Sequence, residues 1–374
     1  MMARRWYPFD IVSHVLNERL RGCEPSEQLR SLVCSQAIGW ERVVGHASVQ
    51  LVLPAFAGAL RDLDLIGSLD EELGAFLEAV HAANGERNCE ISDELVTAVS
   101  VLNRAGIEPV LLKGALRLVD DLYPDQGWRM MHDLDLLVPE GRFAEGIQAL
   151  QIAGYALTGE IGESVPVQRP DGLVQVELHR QLFLRSKEVQ VLPADEMLDQ
   201  ARLVVLGDVV VRLPSIEHQV VHLIGHSQIR HFGHALGRIS LRDRLEAAAL
   251  VHRASETVDW QRVTARFTRS GYRRLLLAFL LSLNDSFPVT VPMPTKIDPL
   301  TALQHWRIAL QARSTTVATI GLWVAWSAMK LKWQVTERDA GRLRGTKNIK
   351  RLVFERGAGR RMIDAFSNQA PRPW

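Results

Sequence analysis

Residues 110–138 read VLLKGALRLVDDLYPDQGWRMMHDLDLLV. The apolar run Ile107 to Leu112 ends in Lys113-Gly114. A helix-like stretch, Ala115 to Leu122, follows, and a second apolar run, Asp133 to Val138, opens with Asp-Leu-Asp. The pattern predicts strand, turn, helix, strand. Side chains two apart on a strand share a face, so Asp133 and Asp135 project side by side. Carboxylates so placed repel unless a cation sits between them, and hard oxygen ligands beside phosphates favour Mg²⁺. A lone Asp-x-Asp also has a plainer reading, with one carboxylate capping a helix and the other solvated.

The surroundings of that pair narrow the choice. Gly114 lets a backbone approach a phosphate, and a strand-to-helix turn presents free N–H groups to it. Lys113 can add a point charge there, or be an ordinary lysine at a strand end. Further on, Leu173 to His179 (LVQVELH) reads as a strand whose Val176 and Leu178 face a core. Glu177 and His179 then share the other face, where Glu177 is a third carboxylate or merely an exposed strand residue. Arg202 to Leu206 and Val209 to Leu213 flank Gly207-Asp208, a two-residue hairpin turn. Phe143 to Ala153 reads as a helix stopping before Gly154.

Outside this α/β stretch the chain reads as helical. Ile91, Leu95, Val99 and Leu102 form one stripe, with Ser92 as a plausible N-cap and Gly106 as the stop. Leu29, Leu32 and Val33 suggest an earlier helix, and Phe76, Leu77 and Val80 another. After Pro214, helices are expected from Ser215 through His226, over Leu241 to His252 and over Leu275 to Leu283; Pro288 to Pro299 marks a loop. The expected fold class is therefore α+β, a small mixed β-sheet core at 106–214 between an N-terminal helical region, 1–105, and a C-terminal helical domain, 215–374.

Charge is uneven along the chain. The 374 residues carry 44 Lys plus Arg against 43 Asp plus Glu, which excludes a chain-wide polycation for nucleic acid. Residues 330–374 nevertheless hold 12 basic and 4 acidic residues, a net of +8 on a body of −7. That tail is a solvated helical face or a contact for an anionic substrate. Cys23, Cys34 and Cys89 are odd in number and widely spaced, which excludes a disulfide scaffold and points to a reduced, cytoplasmic setting. The opening MMARRWYPFD has no apolar core behind its arginines, so no targeting segment is expected. Val43 to Leu60 is interrupted by polar residues, and the 16 residues from Ser314 to Met329 fall short of the ~20 a membrane span needs. Both are expected to be buried helices, with no membrane partner. Five histidines, His218, His222, His226, His231 and His234, crowd one stretch, the first three on one helix face. No HExxH or cysteine partner accompanies them as a zinc site would require.

The order Lys-Gly, helix, R-x-x-x-DLDLLV and then V-E-L-H resembles the nucleotidyltransferase superfamily of DNA polymerase β. More narrowly, it resembles a large bacterial family of uncharacterised nucleotidyltransferases with the pattern LKG…R…DiDLLV…vdlH. Trp40-Glu41 and the following helix resemble that family's N-terminal region. His222, His226 and Leu241-Arg242-Asp243 resemble its HxxxH…D segment, so the similarity spans about residues 35 to 285. It implies that Asp133 and Asp135 bind metal and that Glu177 completes the site as ligand, as base or as both. It implies further that Lys113, Gly114, Arg129 and His179 meet the nucleotide, and that His222, His226 and Asp243 line or brace the cleft. Two Mg²⁺ ions and an NTP, ATP foremost, are the expected cofactor and substrate. An NMP would pass to a hydroxyl or amine acceptor, on a peptide or protein, a small molecule or a tRNA, with release of pyrophosphate. A non-catalytic nucleotide- or partner-binding module on the same fold is the alternative. Three features depart from the superfamily: Gly114-Ala115 replaces Gly-Gly or Gly-Ser, the stretch to Asp133 is long, and the third acid is Glu, one methylene further out.

Overall fold

The computed structural model describes residues 6–35, 37–183, 191–253 and 258–342, the last stretch by backbone alone from 329 on. Most of the +8 tail thus lies outside the described residues. Four helices open the chain: α1 (Pro8–Leu20), α2 (Glu27–Val33), α3 (Trp40–Val49) and α4 (Leu53–Asp62). The long helix α5 (Glu71–Arg104) follows. Its N-cap is Asp70, whose carboxylate accepts the Glu72 N–H at 3.1 Å. Ser92, expected to begin a helix, lies in its interior. The helix leading into the Ile91 stripe is continuous because its earlier buried face is polar: His81, Asn84 and Asn88. These side chains bond to the chain packed against them rather than stop the helix. Gly106 adopts φ +72° immediately after the helix, as its position predicts.

The core follows as β1 (Val110–Leu112), α6 (Lys113–Arg117), β2 (Asp133–Leu137), α7 (Phe143–Ile152), β3 (Ala156–Leu157), β4 (Ser164–Gln168), β5 (Gln175–His179), α8 (Ala194–Gln200), β6 (Arg202–Leu206) and β7 (Val209–Leu213). The seven strands form one mixed sheet in the order β3-β4-β5-β2-β1-β7-β6. β5 runs parallel to β2, and β1 runs antiparallel to it. α6 is shorter than the expected Ala115 to Leu122. It ends after Arg117, and the Asp120 carboxylate accepts the Leu122 N–H in the turn beyond it. One face of the sheet, with Leu111, Leu134, Leu136, Val176 and Leu178, packs on the Ile91–Leu102 stripe of α5 and on α7. Strand alternation then places Asp133, Asp135, Glu177 and His179 on the other face.

Helices cover that second face: α9 (Ile216–Gly225), a π-helical turn at His226–Arg230, α10 (Gly233–Leu236), α11 (Leu241–Arg253), α12 (Trp260–Arg269), α13 (Arg273–Ser286), α14 (Pro299–Arg313) and α15 (Thr315–Arg342). A second apolar core joins Phe9, Leu16, Phe56 and Leu60 of the N-terminal helices to Leu245, Phe267, Phe279 and Ile308 of the C-terminal ones. The boundaries expected at 105 and 214 fall at the ends of α5 and β7. The helical regions on either side of them in sequence are one body in space.

The segment from Val43 to Leu60 is α3 and α4; Pro54 to Leu60 of α4 are buried as expected, whereas α3 buries only Val43 and Ala47 and exposes Val49. The segment from Ser314 to Met329 differs, because Ile320, Trp323 and Val324 are exposed on α15. Among the described residues no helix is long and apolar enough to cross a membrane.

Candidate active site

The register of the sheet assembles the site. In the parallel β2–β5 ladder Asp135 lies directly opposite Glu177, and Leu137 opposite His179. In the β1–β2 ladder Leu112 lies opposite Asp135, so the next residue, Lys113, leaves the sheet beside that carboxylate. Lys113 has φ +47°, a left-handed conformation uncommon outside glycine. Its Nζ donates to Asp135 Oδ1 at 2.7 Å. His179 Nε2 contacts the same oxygen at 2.8 Å and stands 3.6 Å from Glu177 Oε2. Ser164 Oγ, from the neighbouring β4, donates to Glu177 Oε1 at 2.5 Å.

Asp135 is fully buried. Burial pushes its carboxyl up, but the Lys113 ammonium and the His179 hydrogen bond outweigh it and hold the group below the usual carboxylate range. Asp133 is displaced the other way. Burial raises its carboxyl first, and the negative charges of Asp135 and Glu177 add to the rise against Lys113 and Arg129. The two acids of the Asp-x-Asp pair are thus driven apart, one kept ionised and one eased toward its neutral form.

A divalent cation fits what is present. Asp135 Oδ2 is buried with no hydrogen-bond partner, an acceptor that protein interiors seldom leave unmatched. Asp135, Glu177 and His179 each offer a ligand atom within 4.8 Å of the others, and among the described residues no other such group exists. Asp133 stands outside this trio, at the start of β2.

The remaining expected residues divide. Gly114 is buried, and a Cβ there would meet Met131 Cγ and Sδ at 2.8 Å, so its small size serves packing on Met131; the positive φ belongs to Lys113. Arg129 is turned to α11, where its Nε lies 3.0 Å from Glu246 Oε2. Arg117 approaches the other oxygen of Glu246 at 3.4 Å, which makes a buried Arg–Glu–Arg trio. His222 is buried on α9, its pKa pushed down to about 3 by burial and then by the Lys113 ammonium. His226, well below the usual histidine value for the same two reasons, has its ring 5.7 Å from that of His222. Both are therefore neutral imidazoles beside the Lys113 end of the site. Asp243 accepts from Ser227 Oγ at 2.8 Å and braces the π-helical turn rather than joining the carboxylates. His218 is drawn elsewhere, to Glu196 at 3.5 Å.

Three contributors escape a reading of the sequence. Ser164 lies on a short strand that buries Val165 and Val167 in alternation but contains Pro166, which argues against a strand from sequence, and nothing marks the serine in advance. Glu246 and Arg117 stand among other charged residues in their segments, so nothing in the sequence sets them apart either.

No curated protein matches the chain. Among solved structures, a match is the antibiotic-resistance factor ANT(2'')-Ia, determined in solution. It is 14% identical with a TM-score of 0.33, and the match covers 49% of this chain and 94% of that one. A family model described as uncharacterised nucleotidyltransferase matches residues 36–288, which contain every strand of the sheet and every acid of the site. The chain belongs to that family of uncharacterised nucleotidyltransferases, and it is a transferase.

Proposed function

We propose that this protein moves a nucleoside monophosphate from an NTP, ATP foremost, to a hydroxyl or amine acceptor and releases pyrophosphate. The observation that carries this reading is Asp135 opposite Glu177 in register, with an unpartnered buried oxygen on Asp135 and a lysine at the strand end. The attacking atom forms a bond to the α-phosphorus, the bond from that phosphorus to the β-phosphate bridging oxygen breaks, and pyrophosphate departs. Asp135, kept ionised by Lys113, and Glu177 would hold Mg²⁺ or a similar ion with Asp133 alongside. Such ions, when bound, stabilise the attacking and leaving oxygens of an in-line displacement. Glu177, oriented by Ser164, takes the acceptor's proton. Lys113 offsets phosphate charge from the end of the strand. The neutral His222 and His226 add hydrogen-bonding surface without further positive charge. The acceptor is a peptide or protein, a small metabolite or an RNA end. Three exposed, unpaired cysteines support a reducing, cytoplasmic setting.

The test is pyrophosphate release from NTP and Mg²⁺ by wild type and by Asp135→Asn. A loss of at least about 10²-fold is expected, as for removal of a central electrostatic group. An Asp135→Asn variant as active as wild type would sink the reading, as would triphosphate density away from Asp133 and Asp135 in a soaked crystal.

A further inference from the structure

We propose that His179 is a metal ligand, so that the site formed by Asp135, Glu177 and His179 takes an ion that accepts an imidazole nitrogen, a divalent transition-metal ion in preference to Mg²⁺. This rests on the nucleotidyl-transfer reading above and assigns the ion and its ligands within it.

The argument begins with which atoms converge. Asp133, the first acid of the Asp-x-Asp pair, is not among the three residues whose donor atoms cluster; His179 is. Its Nε2 lies 2.8 Å from Asp135 Oδ1 and 3.6 Å from Glu177 Oε2. Adjacent ligand atoms of a six-coordinate ion bound at about 2.1 Å stand about 3 Å apart, so the 3.6 Å from His179 Nε2 to Glu177 Oε2 is close to the spacing a bound ion needs.

The second observation is the orphan oxygen. Asp135 is fully buried, and Lys113 and His179 both address its Oδ1, which leaves Oδ2 with no partner. An ion on Oδ2 lets Lys113 keep its contact with Oδ1. His179 then presents the lone pair of Nε2 and carries its hydrogen on Nδ1. The frame is rigid, because Asp135 and Glu177 face each other across a parallel ladder and His179 follows two residues along the same strand.

The third is ligand chemistry. Mg²⁺ is a hard ion that demands oxygen and dehydrates reluctantly, whereas imidazole suits transition metals. Two carboxylates and one imidazole are therefore a mixed set that suits a divalent transition-metal ion better than Mg²⁺, and Mn²⁺ serves as its paramagnetic probe.

The experiment is pulsed EPR on the full chain titrated with Mn²⁺ alone, with Mg²⁺ as competitor. Wild type is expected to show ¹⁴N coupling to the bound Mn²⁺ and to hold Mn²⁺ at least about tenfold more tightly than Mg²⁺. His179→Gln should lose the ¹⁴N coupling. His179→Asp should bind Mn²⁺ through oxygen alone and narrow its advantage over Mg²⁺; its binding also shows that the site is still folded. If Mn²⁺ binds wild type with no ¹⁴N coupling, or if the coupling survives both substitutions, His179 is not a ligand while nucleotidyl transfer still stands. If no Mn²⁺ binds with or without NTP, the transfer reading falls with it.

Discussion

Lys113 carries two burdens at one position. Its backbone sits at φ +47°, which costs a residue with a Cβ roughly 1–2 kcal/mol, and its ammonium is the counter-charge of a fully buried carboxylate. Strain of this kind gathers at functional sites, where the surroundings over-determine it. The two burdens separate by mutation. Lys113→Gly should be the more stable of two variants, exceeding Lys113→Ala by about 1 kcal/mol in urea unfolding, because glycine adopts the left-handed region freely. Both should lose transfer by about 10²-fold, since neither supplies the charge. Equal stability of the two variants would show that the φ is not a strained one. This residue also marks how far sequence alone reaches. The Lys-Gly pair identifies the turn, but the glycine draws attention to itself, while the unusual backbone and the ionic contact both belong to the lysine. Asp135, Glu177 and His179 were legible because strand alternation puts them on one face. That Asp133 stands apart was not, since its place depends on the registers of β1 and β5 with β2, which no local pattern encodes.

The elements differ in how openly they announce themselves. The second half of α5 is legible as an apolar stripe, but its first half buries amides. Asn84 and Asn88 donate to the carbonyls of Gln126, Gly127 and Arg129, and Arg87 donates to Met131, so the helix holds the path of the chain that leads into β2. A polar buried face defeats any search for hydrophobic periodicity. β3 escapes for a related reason: both of its residues are exposed, so it lacks an inward-facing alternation. Elsewhere a carboxylate joins elements. Glu196 on α8 takes hydrogen bonds from Arg266 and Arg262 of α12 and faces His218 of α9. The Arg266 hydrogen bond, above all, pulls the Glu196 pKa down from 4.5 to about 2 against the effect of burial. A carboxyl lowered on folding contributes stability above its unfolded value and loses it as pH falls toward the folded one. Glu196→Gln should therefore be less stable than wild type at pH 7, and the gap should close between pH 4.5 and about 2. Denaturant midpoints across that range provide the measurement, and a gap unchanged at low pH would contradict it.

At the scale of the whole molecule, the chain is a sheet enclosed by helices drawn from both of its ends. The composition was silent about this, because a core shared between Phe9 and Phe279 leaves no mark on either segment alone. The strand-borne acids lie between the sheet and that helical body, and Glu246 spans the division with Arg117 and Arg129 on either side of it. Removing one partner of a buried charge cluster typically costs about 3–5 kcal/mol. Glu246→Gln is expected to lose stability on that order in urea unfolding, through Arg129 left buried without its carboxylate and Arg117 left with Asp120 alone. A loss below about 1 kcal/mol would mean that solvent already reaches them.

The same trio has a consequence in time. During synthesis the strands bearing Asp135, Glu177 and His179 leave the ribosome well before Glu246 is made. Until then Arg129 lacks the carboxylate of Glu246 and Arg117 has only that of Asp120, and the N-terminal helices have no α11 or α13 to pack against. Chains usually fold from their N-terminus in domain-sized units as they emerge. This one must hold the strands of its candidate site unfinished until its second helical half arrives to enclose them.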